Sequence, residues 1–109
     1  EKGEAQKAGV GAYKDMLNAA RALVLAENPD IKENPDNVVA EFRTRYYDTQ
    51  KFWDPFAGGK FGNYLFDAHA KAGQAHSEES SRYLIEEAQL FIDAAHSCNN
   101  KLSMAAVGA

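Results

Sequence analysis

The sequence predicts an all-α chain, folded as an antiparallel up-and-down four-helix bundle, from three observations. First, from Ser77 to Leu102 the residues Leu84, Ala88, Phe91, Ala95, Cys98 and Leu102 recur at alternating steps of four and three. Ile85 and Ile92 lie beside them, so one side of a helix is apolar along its length. Second, Arg82, Glu86, Gln89, Asp93, His96 and Asn100 follow the same spacing on the opposite side and are all polar. Third, three further segments show helical spacing and are joined by short links rich in Pro, Gly, Asn and Asp, while the alternation of a half-buried strand is missing. An up-and-down bundle is the simplest way to cover every apolar stripe.

The first helix is expected from about Ala5 to Glu27, a stretch of good helix formers with Tyr13, Met16, Leu17, Ala20, Leu23 and Val24 on one face. A second stripe, Ala8, Ala12, Ala19, Ala22 and Ala26, is small enough to admit another backbone. Asn28-Pro29-Asp30 ends this helix, because proline disfavours helical geometry in the residue before it. The second opens at Asn34-Pro35-Asp36, with Asn34 as N-cap and Pro35 where its missing N–H costs nothing. Val39, Phe42, Tyr46, Thr49 and Trp53 are expected to face inward, and Asn37, Glu41, Thr44, Asp48 and Lys51 outward. Residues 54–59 form a connection whose Phe56 is expected to fold back onto the core. The third helix, about Lys60 to Ala72, turns Phe61, Tyr64, Leu65 and Ala68 inward and is capped by Gly73. Ser77 caps the fourth, with Glu78 and Glu79 at the positive end of its dipole.

A chain of 109 residues is expected to be a single domain, since that length buries somewhat over 60% of the unfolded surface. Residues 1–4 read as a linker-like lead and 103–109 as a frayed tail, so a C-terminal fragment of a larger protein is expected. A net charge of −4, with the cations scattered among acids, disfavours nucleic acid as a partner. No apolar run approaches the roughly 20 residues of a membrane span. Cys98 is the only cysteine, which excludes an internal disulfide and an all-cysteine metal site within the chain and fits a reduced, cytoplasmic setting.

Candidate chemistry is sparse. Gly58-Gly59-Lys60 invites comparison with a phosphate loop, but Phe61 stands where Ser or Thr should hold magnesium, Asp54 replaces the earlier glycine, and no strand precedes it. His69, His76 and His96 have no partner histidine one helical turn away, so they read as solvated side chains rather than metal ligands. Cys98 reads as a small buried hydrophobe. Aromatic residues are dense between Tyr46 and Phe66, and with Arg43, Arg45 and Lys60 the rings near Trp53 make a candidate nucleotide-stacking site. Tyr47, Phe66, Tyr83 and Leu90 fall off the main stripes and are candidates for a protein interface.

Two stretches carry a resemblance. Ala12-Tyr13 followed by Asn18-Ala19-Ala20-Arg21-Ala22-Leu23-Val24-Leu25, and Ser77-Glu78-Glu79 followed by Tyr83-Leu84, Ala88 and Phe91-Ile92, resemble the HEPN-like helical domain at the C-terminus of some bacterial siroheme nitrite and sulfite reductases. The resemblance implies a HEPN-like bundle and a parent enzyme that reduces nitrite or sulfite with electrons from ferredoxin, using siroheme and a [4Fe–4S] cluster. One cysteine cannot hold that cluster, so this domain is expected to carry no cofactor and no catalysis. The wider HEPN family includes ribonucleases with an Arg and, within about two turns, a His. Here Arg82 meets no His before His96, and Arg21, Arg43 and Arg45 have none nearby. The expectation is a non-catalytic accessory domain whose partners are its own parent chain or a second copy in a homodimer; the alternative is a HEPN-type nucleotide or small-ligand binder without ribonuclease activity.

Overall fold

In the computed structural model four helices and the links between them share one core. The structure describes the backbone of residues 2–75 and 77–108 and the side chains of 3–75 and 77–102. Helix α1 spans Lys2–Glu27, α2 Pro35–Phe42, α3 Lys60–Ala70 and α4 Glu78–Gly108. Among the described residues there is no strand, only an isolated bridge between Asp54 and Gly58. No helix among them is long and apolar enough to cross a membrane. Helix α4 has 31 residues, about 46 Å at 1.5 Å per residue, and it sets the 52 Å long axis of the molecule.

Helix α4 packs most extensively against α1. Its buried stripe runs Ser81, Ala88, Phe91, Ala95 and Cys98, and all six residues of the opposite polar stripe are exposed. Ile85, expected beside the buried stripe, is exposed instead, because it sits on the flank of the helix where no other element arrives. Ser81 joins the stripe although it is polar, since its hydroxyl donates to the Ala5 carbonyl at 2.9 Å and so ties α4 to the start of α1. The start of α4 is capped as expected, with Ser77 Oγ accepting from the Ser80 N–H at 3.0 Å. On α1, which begins ahead of Ala5, the buried hydrophobic residues are Ala5, Ala12, Met16, Ala20, Leu23 and Val24. Of the expected small stripe Ala12 is buried and Ala8 and Ala19 partly so, while Ala22 and Ala26 face solvent.

Helix α2 starts where expected: Asn34 Oδ1 accepts from the Asn37 N–H at 2.8 Å, and Pro35 follows at the first helical position. It does not continue evenly to Trp53. After Phe42 the chain widens into a π-helical turn, Arg43–Tyr47, closed by the Asp48 N–H on the Arg43 carbonyl at 2.8 Å. Gln50 then takes φ +61° and the helix ends. The altered register replaces Trp53 in the core by its neighbour Phe52; Trp53 is 49% exposed and Thr49 is exposed too.

Phe42 sits at the centre of the core. Its ring lies 5.0 Å from that of Phe52, 5.5 Å from Phe91, and 6.0 Å from both Tyr46 and Phe66, within the range of favourable aromatic pairing. Tyr46, fully buried, donates its hydroxyl hydrogen to the Leu23 carbonyl of α1. Gly62 allows α3 to reach this cluster: a Cβ there would stand 2.8 Å from Tyr47 Cδ2. Helix α3 ends at Ala70, before the expected Ala72, and Gly73 turns the chain with φ +92°.

The connection 54–59 closes on itself. Asp54 and Gly58 exchange backbone hydrogen bonds of 3.1 and 2.8 Å, and Asp54 Oδ1 accepts from the N–H groups of Phe56 and Ala57 at 2.8 Å each. These bonds, Ala57 first and then Phe56, hold the Asp54 carboxyl below its usual range. Such a turn points the Phe56 side chain outward, and at 99% exposure it does not fold back onto the core as the sequence suggests.

Phe42→Ala should destabilise the chain by about 3–5 kcal/mol in urea unfolding, whereas Phe56→Ala should stay within about 0.5 kcal/mol of the parent. Burial first, then the charge of Glu27, pushes the Tyr46 phenol up to about 12. Because the folded value lies above the unfolded value of about 10, its contribution is complete below pH 10 and is lost as pH rises towards 12. Following unfolding by circular dichroism across that window should show the loss in the parent and a smaller one in Tyr46→Phe.

Candidate functional site

Helices α3 and α4 meet along a seam, and at one end of it, with α1 closing the third side, lies a groove of about 370 Å3. That is within the roughly 300–1,000 Å3 of ligand sites. Val10 and Tyr13 come from α1, Asp67 and Ala68 from α3, Lys71–Gly73 from the turn after it, and Ser80, Tyr83, Leu84 and Glu87 from α4. Tyr83, Glu87, Leu90 and Ala94 follow at steps of four, three and four, so they share the flank of α4 beside its buried stripe. Tyr83 is 57% and Leu90 43% exposed.

Asp67 and Glu87 face the same groove from two helices. Neither has an ion-pair or hydrogen-bond partner among the described residues. Burial first, then the charge of Asp67, pushes the Glu87 carboxyl above its ordinary value, with Lys71 and Lys60 pulling the other way.

The Tyr13 hydroxyl reaches out of the groove to His69 Nδ1 at 2.7 Å, and His69 Nε2 lies 2.8 Å from the exposed Asp36 carboxylate. A carboxylate only accepts, so Nε2 carries the hydrogen towards Asp36, and in the neutral ring Nδ1 accepts from Tyr13. His69 is therefore partly buried and bonded at both nitrogens, not a solvated histidine, because α2 and α1 converge on the end of α3. Burial, then the Asp36 charge, raises the Tyr13 phenol. His96 is exposed as expected, and His76 lies outside the described residues.

The residues singled out in the sequence fall into separate places. Arg43 lies 4.1 Å over the Phe66 ring, and Tyr47 meets the same ring edge-on at 4.9 Å. Arg45 pairs with Glu41 at 2.6 Å and Glu27 at 3.5 Å, and Lys51 with Glu27 at 3.0 Å. Trp53 packs against Gly58, which takes φ +61° where the indole leaves little room for a side chain. Lys60 is exposed at the start of α3. Only Tyr83 borders the groove, with Leu90 about two turns further along. In the glycine loop the amides of Phe56, Ala57 and Gly58 are bonded to Asp54. Cys98 is buried, its thiol pointing at the Lys51 carbonyl at 3.3 Å, and burial raises its pKa.

The Asp67–Glu87 pair is not legible in the sequence. Glu87 was legible as part of the Tyr83–Leu90 flank, but Asp67 joins it only through the crossing of α3 and α4. Comparison with family models, with curated proteins and with solved structures finds no match to this chain.

Tyr13→Phe should cost about 1 kcal/mol in urea unfolding at pH 7, the usual net worth of a hydrogen bond. An unchanged midpoint would mean that the bond to His69 adds nothing to the packing of α1 on α3.

Proposed function

We propose that the chain is a non-catalytic helical docking domain, a HEPN-like bundle that serves as the accessory module of a cytoplasmic nitrite/sulfite reductase-like protein. In this bundle α1 and α4 run side by side in the same direction, with Ser81 on Ala5 at one end and Cys98 near Lys51 and Glu27 at the other. The observation that carries the docking part is the α4 flank, where Tyr83 and Leu90 are exposed at 57% and 43% beside a groove floored by Leu84 and Ala68. Side chains with that much apolar area on one helix face are a feature of interfaces. The reductase part rests on the resemblance of the α1 and α4 sequences. Siroheme and a [4Fe–4S] cluster belong to the parent in this proposal; Cys98, buried and turned to a backbone carbonyl, does not fit a cluster ligand.

The alternative, a nucleotide site around Trp53, Arg43, Arg45 and Lys60, finds less support. Arg45 is engaged by two glutamates and Arg43 lies on Phe66, so their charges do not converge beside the indole.

The test is sedimentation velocity of the purified chain, alone and with the remainder of its parent. Tyr83→Glu with Leu90→Glu should abolish association, and Ile85→Glu, on the opposite flank, should leave it intact. All three positions are exposed, so the fold should change by no more than about 0.5 kcal/mol per site. Association that survives the double variant, or no association at any concentration, overturns the docking proposal. The coding sequence ahead of Glu1 tests the rest: the spaced cysteines of a siroheme reductase support it, and an unrelated domain removes it.

A further inference from the structure

We infer that the groove between α1, α3 and α4 receives a basic side chain, arginine or lysine, carried beside an apolar residue on a docking polypeptide. The inference rests on the docking function proposed above and assigns the chemistry of its partner. Four features converge on it. The groove has room for two side chains at about 370 Å3. Its apolar part, Val10, Ala68 and Leu84, suits the aliphatic neighbour and the methylene stem of the cation. The rings of Tyr13 and Tyr83 line the same space and offer faces for a guanidinium or ammonium. Asp67 and Glu87 bring two carboxylates that have no ion-pair partner among the described residues.

Asp15, Asp48 and Glu86 also have no ion pair among the described residues but stand exposed, whereas Glu87 is half-buried in a groove. Arg21 with Glu33, Arg45 with Glu41 and Glu27, and Lys51 with Glu27 are all matched within the chain. Lys71, just past the end of α3, and Lys60 at its start lie near enough to act on Glu87, yet neither makes an ion pair of 4 Å or less with Glu87 or Asp67. A partner cation seated between the carboxylates removes their mutual repulsion and replaces the solvation that Glu87 loses on burial. An anionic or phosphorylated segment would meet the opposite field and be excluded.

The probe is the peptide acetyl-Leu-Arg-Leu-amide, titrated into the intact chain and followed by amide chemical shifts; the control replaces arginine with citrulline, of nearly the same shape without the charge. The arginine peptide should shift the resonances of Tyr83, Leu84, Glu87 and Asp67, and the citrulline peptide should bind about tenfold more weakly, equivalent to about 1.4 kcal/mol. Glu87→Gln and Asp67→Asn should each weaken the arginine peptide severalfold, and Lys71→Gln should tighten it. Thermal unfolding of each variant checks the fold. Equal binding of the two peptides, shifts centred elsewhere, or indifference to Glu87→Gln overturns the inference. If Tyr83→Glu with Leu90→Glu abolishes association while Glu87→Gln changes neither association nor peptide binding, docking stands and the basic partner is rejected. If neither variant affects association, both fall together.

Discussion

The side chain of Phe42 occupies the point where α2, the π-helical turn, α3 and α4 converge, and the placing of the other rings follows from filling the space around it. Phe91 reaches it from α4, Phe66 from α3, Tyr46 from the next turn of its own helix, and Phe52 from the chain beyond. Each of these rings removes a large apolar area from water, worth about 1.5–3 kcal/mol per side chain, and rigid rings cannot slide past one another without opening voids. The backbone adapts to them. One extra residue in the turn Arg43–Tyr47 directs Tyr46 towards α1, where its hydroxyl finds the Leu23 carbonyl, and leaves Tyr47 facing α3. Gly62 completes the fit by giving the Tyr47 ring room against the α3 backbone.

The same adjustment explains where the sequence misleads. Regular 3.6-residue spacing carries the prediction correctly through Val39, Phe42 and Tyr46, all buried. It then assigns Thr49 and Trp53 to the interior, because a helical wheel has no way to register a widened turn. Phe52 takes the place of Trp53, and the choice between adjacent aromatics is made by the ring-to-ring geometry at Phe42 and Phe91. Phe56 fails for a different reason: hydrophobicity favours burial, but the Asp54 carboxylate organises its own loop and the outward direction of residue 56 follows from that turn. Local signals with a single physical cause were legible throughout. The Asn34 and Ser77 caps and the polar face of α4 each depend on residues within one or two turns.

The candidate site was legible to the extent that one helix alone defines it. Tyr83 and Leu90 are separated by seven residues and lie off the buried stripe, which is sufficient to place them on one flank of α4. The carboxylate pair requires knowing that α3 crosses beside that flank, at the level of Asp67, and that α1 brings Tyr13 and Val10 to the third side. His69 illustrates the same limit. Nothing in its sequence neighbourhood signals Tyr13, 56 positions away, or Asp36, and the bonds exist because the end of α3 meets the start of α2 and the middle of α1 there.

Ion pairs fasten one end of the molecule. Glu27 is bridged by Arg45 and Lys51, so it fastens the end of α1 to the segment after α2, and Glu41 receives both Arg45 and Asn28. These interactions use the cations that would otherwise form a basic face, and each is exposed enough that its contribution is modest. The groove at the other end of the molecule has two carboxylates, from α3 and α4, and the nearby Lys71 and Lys60 form no ion pair with either. A charge that is already paired gains little from a partner, whereas an unpaired one that is partly desolvated gains most from a counter-charge delivered from outside. The aromatic core around Phe42 makes the fold, and the unpaired acids beside Tyr83 are where that fold has binding energy left to offer.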